Sequence, residues 1–328
     1  MNAGLPQRTV AYNTANTDAS RWDRFAPRDD DIFICTPPKC GTTWTQAICA
    51  LLIFGRPDHG LKPGVISPWL DADTVPVDDM LDMLQAQSHR RFLKTHTPLD
   101  GIPFYPQCTY LVVHRDPRDA YFSMRNHATN MKSGKFADRA TEDVGAGFRD
   151  WAEKPYIAGE RDNFSLAAMV HHFRTYRQFA HLTNMNLLHF SDMKQNLLDA
   201  MARVARILGI EISTTVMDAL VQAAGFENMK KNAGQFAPGT GTGRWKDESR
   251  FFNKGTDNQW AGLLNEDDMA LYDSCMGALL PKGDVAWLQG GDGSRRTMSG
   301  YCGFVSRRSQ TRRAAASNTQ AAGNRLKP

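Results

Sequence analysis

Residues 33–44 read FICTPPKCGTTW, and the lysine, glycine and threonines of this stretch are residue types that bind phosphate. An apolar run that stops at Pro37 and Pro38, then a small-residue turn, then a helix from about Thr42, exposes unpaired backbone N–H groups and the positive helix end at one point. Such a point attracts an anion. A Walker loop has four residues between its glycines and a lysine after the second, whereas Lys39 precedes Gly41, the only glycine of the motif. The loop is therefore P-loop-like without being an ordinary triphosphate site.

Two further clusters could do chemistry. Lys94-Thr95-His96 closes one apolar run, and Arg115-Asp116-Pro117-Arg118-Asp119 closes another just before Ser123. Histidine, with an unperturbed pKa near 6.5, suits proton abstraction at neutral pH. The chain has nine histidines, and a lone one is more often structural, so His96 stands out only through its place. For Arg115 and Ser123 the plain alternatives are a surface ion pair and a helix hydroxyl; the sharper expectation is a phosphate clamp, because the arginine fork matches phosphate oxygens.

The elements that must position these groups alternate between strand and helix. DIFICT predicts a buried strand and TTWTQAICALLIFG the helix after it; RFLKTH and TYLVVHR predict two more strands, the second followed by a helix over residues 117–126. NMNLLHFSD predicts a fourth strand, SDMKQNLLDAMARVARILG a helix capped by Ser191, and TTVMDALVQAAGFENMKK a further helix. The alternation predicts a single α/β domain over residues 29–289, with a central, mostly parallel sheet flanked by helices. Ligands of such sheets collect at the carboxyl ends of the strands, where Lys39, His96 and Arg115 fall.

At 328 residues, 41% hydrophobic and 23% charged, the chain is long enough for that domain and its core. Residues 1–28 form a polar N-terminal segment without the apolar stretch of a signal peptide, and no run approaches the roughly 18 apolar residues of a membrane span, so a cytoplasmic protein is expected. The six cysteines show no C-x-x-C pair and are expected to be free thiols. The net charge of +4 is unevenly spread: residues 290–328 carry eight Arg or Lys against Asp292 alone, +7, which leaves −3 for the rest. That basic tail is expected to be disordered and solvated rather than a nucleic-acid arm.

Taken in order, PPKCGTTW, LKTHTPLD, VVHRDPRDAYFSM, GFENMKKN and FFNKG resemble the cytosolic sulfotransferases that use 3′-phosphoadenosine 5′-phosphosulfate (PAPS), over residues 31–288. The resemblance implies that Lys39 stabilises the bridging oxygen as the sulfuryl group leaves, that Cys40, Gly41, Thr42 and Thr43 surround the 5′-phosphate, and that Trp44 stacks on the adenine. It further implies His96 as base, Lys94 as added positive charge, and Arg115 with Ser123 on the 3′-phosphate. Phe226 falls where the family has the second adenine aromatic. Phe190 stands where many relatives have a tyrosine, and a phenyl ring cannot make that hydrogen bond. Lys254 and Gly255 match the family's Arg-Lys-Gly loop, but Asn253 replaces its arginine, so either the 3′-phosphate is held more weakly or Arg250 or Arg244 substitutes.

The expected reaction is transfer of the sulfuryl group to a hydroxyl, or an amine, of a small-molecule or lipid acceptor, without a metal. Two alternatives are a P-loop nucleoside-phosphate kinase and a non-catalytic nucleotide-binding protein of the same fold. Acceptor loops are expected over residues 68–84, 103–106 and 145–156, with Trp69, Phe104, Tyr105 and Trp151 as candidates. The family's dimer motif is missing from WAGLLNEDDM, so a homodimer stays open. Cys40, where many relatives have serine, is either a tolerated thiol or an oxidation-sensitive one.

Overall fold

A computed structural model describes residues 4–60, 62–132, 143–237 and 243–299, with side chains as far as residue 293. The chain starts with a small antiparallel hairpin, β1 (Asn13–Thr14) and β2 (Thr17–Asp18), and a turn of helix, α1 (Arg21–Arg24). The main sheet holds β3 (Ile32–Cys35), β4 (Phe92–Thr95), β5 (Thr109–His114) and β6 (Met185–His189) in the order β4-β3-β5-β6, every pair parallel.

Each strand is buried on both faces, and the period of two decides which residue serves which face. Ile32, Ile34, Leu111 and Val113 point to one core, packed by α2 (Thr42–Phe54) and, later in the chain, by α9 (Leu197–Leu208) and α10 (Thr214–Ala224). Phe33, Cys35, Tyr110 and Val112 point to the other, which takes Trp22, Phe25 and Leu84 from the first ninety residues. Two short helices, α3 (Pro63–Ile66) and α4 (Val77–Ala86), lie between β3 and β4. A third cluster joins α5 (Pro117–Asn130), α6 (Val144–Glu153), α7 (Leu166–Arg177), α13 (Glu266–Leu279) and α14 (Lys282–Ser299) around Phe148, Phe173, Tyr272 and Trp287.

Three boundaries differ from the sequence expectation. The helix expected to start at Ser191 is two: α8 (Phe190–Gln195), capped by His189, whose Nδ1 accepts from the Ser191 N–H, and α9, capped by the Asn196 side chain. Gly225 breaks the next expected helix into α10, capped by Ser213, and α11 (Phe226–Lys231), which is followed by α12 (Ala233–Phe236). The basic tail starts later than residue 290, because α14 runs to Ser299 with a kink at Gly291 (φ 68°); the Asp192 carboxylate accepts the N–H groups of Asp292 and Gly293 at 2.8 and 3.3 Å. Composition missed this because one carboxylate on α8 supplies what the tail's few apolar residues do not. Residues 300–328, on which the rest of the tail expectation falls, lie outside the described residues.

The polar N-terminal segment is part of the folded body. Tyr12 and Trp22 are fully buried, and the Trp22 ring lies 6.0 Å from Phe25 and 5.8 Å from Phe33. Cys35, Cys40, Cys49, Cys108 and Cys275 are free thiols, and Cys302 lies outside the described residues.

Candidate active site

Strand register brings the chemistry to one edge. Cys35 is level with Thr95 and with Val112, and His114 is level with His189. The next residues, Thr36, His96, Arg115 and Phe190, therefore leave the sheet side by side at its carboxyl edge. Cooperative parallel pairing does what no local signal could.

The loop between β3 and α2 is tight. Lys39 has φ 69° and Gly41 φ 99°, and Gly41 is the N-cap of α2. A Cβ on Gly41 would come within 2.9 Å of the Phe190 ring, so the turn needs glycine both for its backbone and for this approach. Thr42 Oγ1 bonds Thr36 Oγ1 at 2.5 Å, tying the helix start to the strand end. Thr43 is half-buried on the same turn. Cys40 is fully buried and burial pushes its thiol up to about 12, which removes the thiolate that oxidation requires and leaves the tolerated-thiol alternative.

His96 is half-buried and edge-on to Trp69, ring centres 4.8 Å apart. Its Nδ1 donates to the Thr36 carbonyl at 2.7 Å. That bond assigns the proton to Nδ1 and leaves a lone pair on Nε2 that can accept one. Burial, with the Lys94 and Arg161 cations next, holds its pKa well below the usual value, so the ring is neutral at pH 7.

Three cations share this edge. Lys39 Nζ donates to His127 Nδ1 at 3.1 Å and sits 5.3 Å from the Phe251 ring centre. Burial and the neighbouring Arg115 bring it down to about 8; burial and Arg244 do the same for Lys94, whose Nζ lies 5.1 Å over Trp69. Among the described residues neither ammonium has a carboxylate in ion-pair reach. Arg115, nearly buried, donates to the Thr256 carbonyl at 2.7 Å and lies 4.4 Å over Phe190, while its Nε has no partner. Ser123 is half-buried on α5, one turn from Asp119.

The remaining candidates surround this edge. Trp44 meets Phe190 edge to face at 5.2 Å and donates through Nε1 to the Ala224 carbonyl at 2.9 Å, two residues before Phe226. Phe226 packs on Gly255 (φ 60°), where a Cβ would come within 2.4 Å of the ring. The loop that carries Asn253, Lys254 and Gly255 is held by Asp119, which accepts the N–H groups of Asn258 and Gln259 at 3.0 and 2.7 Å. Arg244 is close enough to Lys94 and His127 to depress both, and Lys230 donates to the Asn253 carbonyl at 3.3 Å. Lys230 is thus a cation beside the missing arginine that motif reading passed over.

A cavity opens on the His96 side, lined by Tyr12, Pro37, His96, Arg161, Asn163 and His172 among others. The expected acceptor loops contribute little: Phe104 and Tyr105 stack in the core beside Tyr110 and Phe33, Trp151 is buried against Tyr121, and of residues 145–156 Tyr156 reaches the cavity. The sequence could not show this, because nothing in the spacing of those aromatics distinguishes a core position from a pocket wall. Trp69 does reach the site, since its segment pairs with Lys94 along β4. His127 and Arg161 were also missed: His127 lies one turn beyond Ser123 on α5, just past the end of the motif, whereas Arg161 is far in sequence from the motifs and only chain packing brings it in.

Among the described residues no cluster of three or more His, Cys, Asp or Glu is arranged to hold a metal ion. Nor is any described helix long and apolar enough to cross a membrane.

Residues 29–284 match the model of the sulfotransferase domain. A glycolipid sulfotransferase of Mycobacterium bovis is 34% identical over 323 residues, covering 89% of this chain and 98% of that one. A rabbit (Oryctolagus cuniculus) amine sulfotransferase is 26% identical, covering 76% of this chain and 81% of its own length. In three dimensions the chain is similar to a mouse sulfotransferase complexed with PAP, with a TM-score of 0.64, 19% identity, and 86% of this chain and 93% of that one covered. It is likewise similar to retinol dehydratase in a complex with retinol and PAP, at TM-score 0.64 and 20% identity, covering 80% and 84%.

Proposed function

The chain belongs to the sulfotransferase family, and from that premise we propose that it moves the sulfuryl group of PAPS to a hydroxyl of a lipid or small-molecule acceptor in the cytoplasm, with His96 as base. The observation that carries this is the pair of depressed ammonium groups, Lys39 and Lys94, without an acidic partner among the described residues, beside a histidine whose tautomer is fixed. Buried cations that repel one another are an unfavourable arrangement unless an anion joins them. The unpaired Arg115 Nε and the Ser123 hydroxyl fit the 3′-phosphate at the far end of the nucleotide. Fit to PAPS is also supported by the PAP in the two similar structures.

PAPS supplies an activated sulfuryl group on its 5′-phosphate. The chain's own part begins with Nε2 of His96, which takes the acceptor's proton as its oxygen bonds to sulfur. Lys39 stabilises the charge that grows on the bridging oxygen as the S–O bond breaks, leaving a sulfate ester and PAP. Lys94 and Arg161 lower the basicity of His96 in the free protein, and the donor's negative charge reverses this, so the base strengthens once the donor is in place. Trp44 and Phe226 supply aromatic faces for the adenine, and Lys230 offsets Asn253. The relative named a glycolipid sulfotransferase supports a sugar-bearing lipid as acceptor.

The test is transfer of labelled sulfate from PAPS to lipid extracts and simple alcohols, together with melting curves with PAP or ATP. PAP should raise the melting temperature and ATP should not. His96→Ala should retain the PAP shift and lose transfer by about 10²–10⁴-fold; full activity in that variant would remove the base from the mechanism.

A further inference from the structure

The cavity beside His96 is walled by two side chains with buried polar atoms that nothing in the described protein satisfies. Asn163 is 5% exposed; its Nδ2 donates to the Pro155 carbonyl at 2.9 Å, which fixes the amide orientation, and its Oδ1 has no donor. His172 is 2% exposed; its Nδ1 meets His114 Nε2 at 3.2 Å and its Nε2 is unpartnered. Both residues line the same cavity as His96. A native protein rarely leaves such atoms unpaired, since each costs about 1–3 kcal/mol.

The chemistry of the vacant pair follows from the histidine contact. Burial keeps His114, at about 3, and His172 neutral, so the bond between them contains one proton. If His172 donated it, His114 Nδ1 would keep a buried N–H with no acceptor. If His114 donates it, His114 Nδ1 keeps only a lone pair, which is the cheaper group to leave unsatisfied. His172 then carries its proton on Nε2. The residues that line the cavity thus hold one unpaired acceptor, Asn163 Oδ1, and one unpaired donor, His172 Nε2–H, and a hydroxyl group, donor and acceptor in one, can pair with either.

We propose that Asn163 and His172 are specificity-determining residues that select acceptors with a second hydroxyl besides the reacting one, a sugar or polyol head in place of a phenol or simple alcohol. The proposal rests on the transferase reading for which hydroxyl reacts, but not for what binds. An acceptor hydroxyl that reaches either atom satisfies a buried polar group that the described protein leaves unpaired. A buried site made to bond a hydroxyl rejects the analogue without it far more strongly than an apolar pocket rejects a missing methylene.

The experiment compares hexyl glucoside, its monodeoxy analogues, hexanol and 4-hexylphenol as acceptors, in the wild type, Asn163→Ala and His172→Phe. One monodeoxy analogue and both single-hydroxyl acceptors should lose about a hundredfold or more in kcat/KM in the wild type. In either variant that gap should shrink at least tenfold, while the PAP melting shift, which reads the donor site, stays unchanged. Equal use of hexanol and hexyl glucoside by the wild type would overturn the proposal, as would a gap that persists in both variants. If the protein binds PAP but transfers to nothing, the transferase reading fails; the same ligands are then ranked by melting shift with PAP bound, and the same pattern must appear.

Discussion

At the scale of single residues, Lys39 combines an unusual backbone with a destabilised charge: φ is 69° and burial lowers its ammonium to about 8. The pH consequence follows in sign. Between about 8 and the usual lysine value the unfolded chain holds the proton and the folded one does not, so protonating Lys39 costs stability below about 8 and the cost fades as pH rises through that window. Lys39→Met should therefore leave the melting temperature of the donor-free protein at pH 7 unchanged or higher. The same variant should lower kcat by about 10²–10³-fold, the usual loss for one donor at a developing charge. Because kcat/KM reports the free enzyme, its profile should fall as pH rises through about 8, where Lys39 deprotonates. Its acid limb should lie below the ordinary histidine range, since His96 is held neutral there. A profile still rising between pH 7 and 9 would contradict both assignments.

Among elements, two turns press a glycine against an aromatic ring. Gly41 starts α2 under Phe190, and Gly255 closes the late loop over Phe226, both at positive φ. Alanine at either position meets the ring as well as a left-handed backbone, a cost of about 1–3 kcal/mol. Gly255→Ala should weaken PAP binding in a melting-shift titration more than it lowers the melting temperature of the free protein, because the loop hangs from Asp119 and not from the core. Gly41→Ala should lower both, since it moves the first turn of a helix that packs against the sheet. These turns were visible in the sequence as glycines within motifs. Phe190 and Phe226 were visible too, but not their contact with these glycines, since Phe190 is separated from Gly41 by all the chain between β3 and β6.

For the molecule as a whole, the first thirty residues close one face of the sheet. Trp22 is buried between Phe25 and Phe33 and donates to Asp71 at 3.2 Å, and the buried pair Arg91 and Asp31 ties the starts of β3 and β4 together. Trp22→Ala should cost about 3–5 kcal/mol in urea unfolding, as an emptied core site does, while leaving the Lys39 loop on the other core intact. The strand-helix alternation, the Lys39 loop and the strand-end positions of His96 and Arg115 were legible in the sequence, because hydrophobic period and punctuation by proline and glycine are local and the motifs are contiguous. That alone determined a parallel α/β sheet with a candidate anion-binding loop at its carboxyl edge. Tertiary structure decided what faces that edge: His127 on Lys39, Arg161 and Trp69 around Lys94, the unpaired atoms of Asn163 and His172, and the docking of residues 291–293 on Asp192. Those contacts join residues far apart in the chain, and strand register and side-chain packing, which set them, leave no mark at any one position.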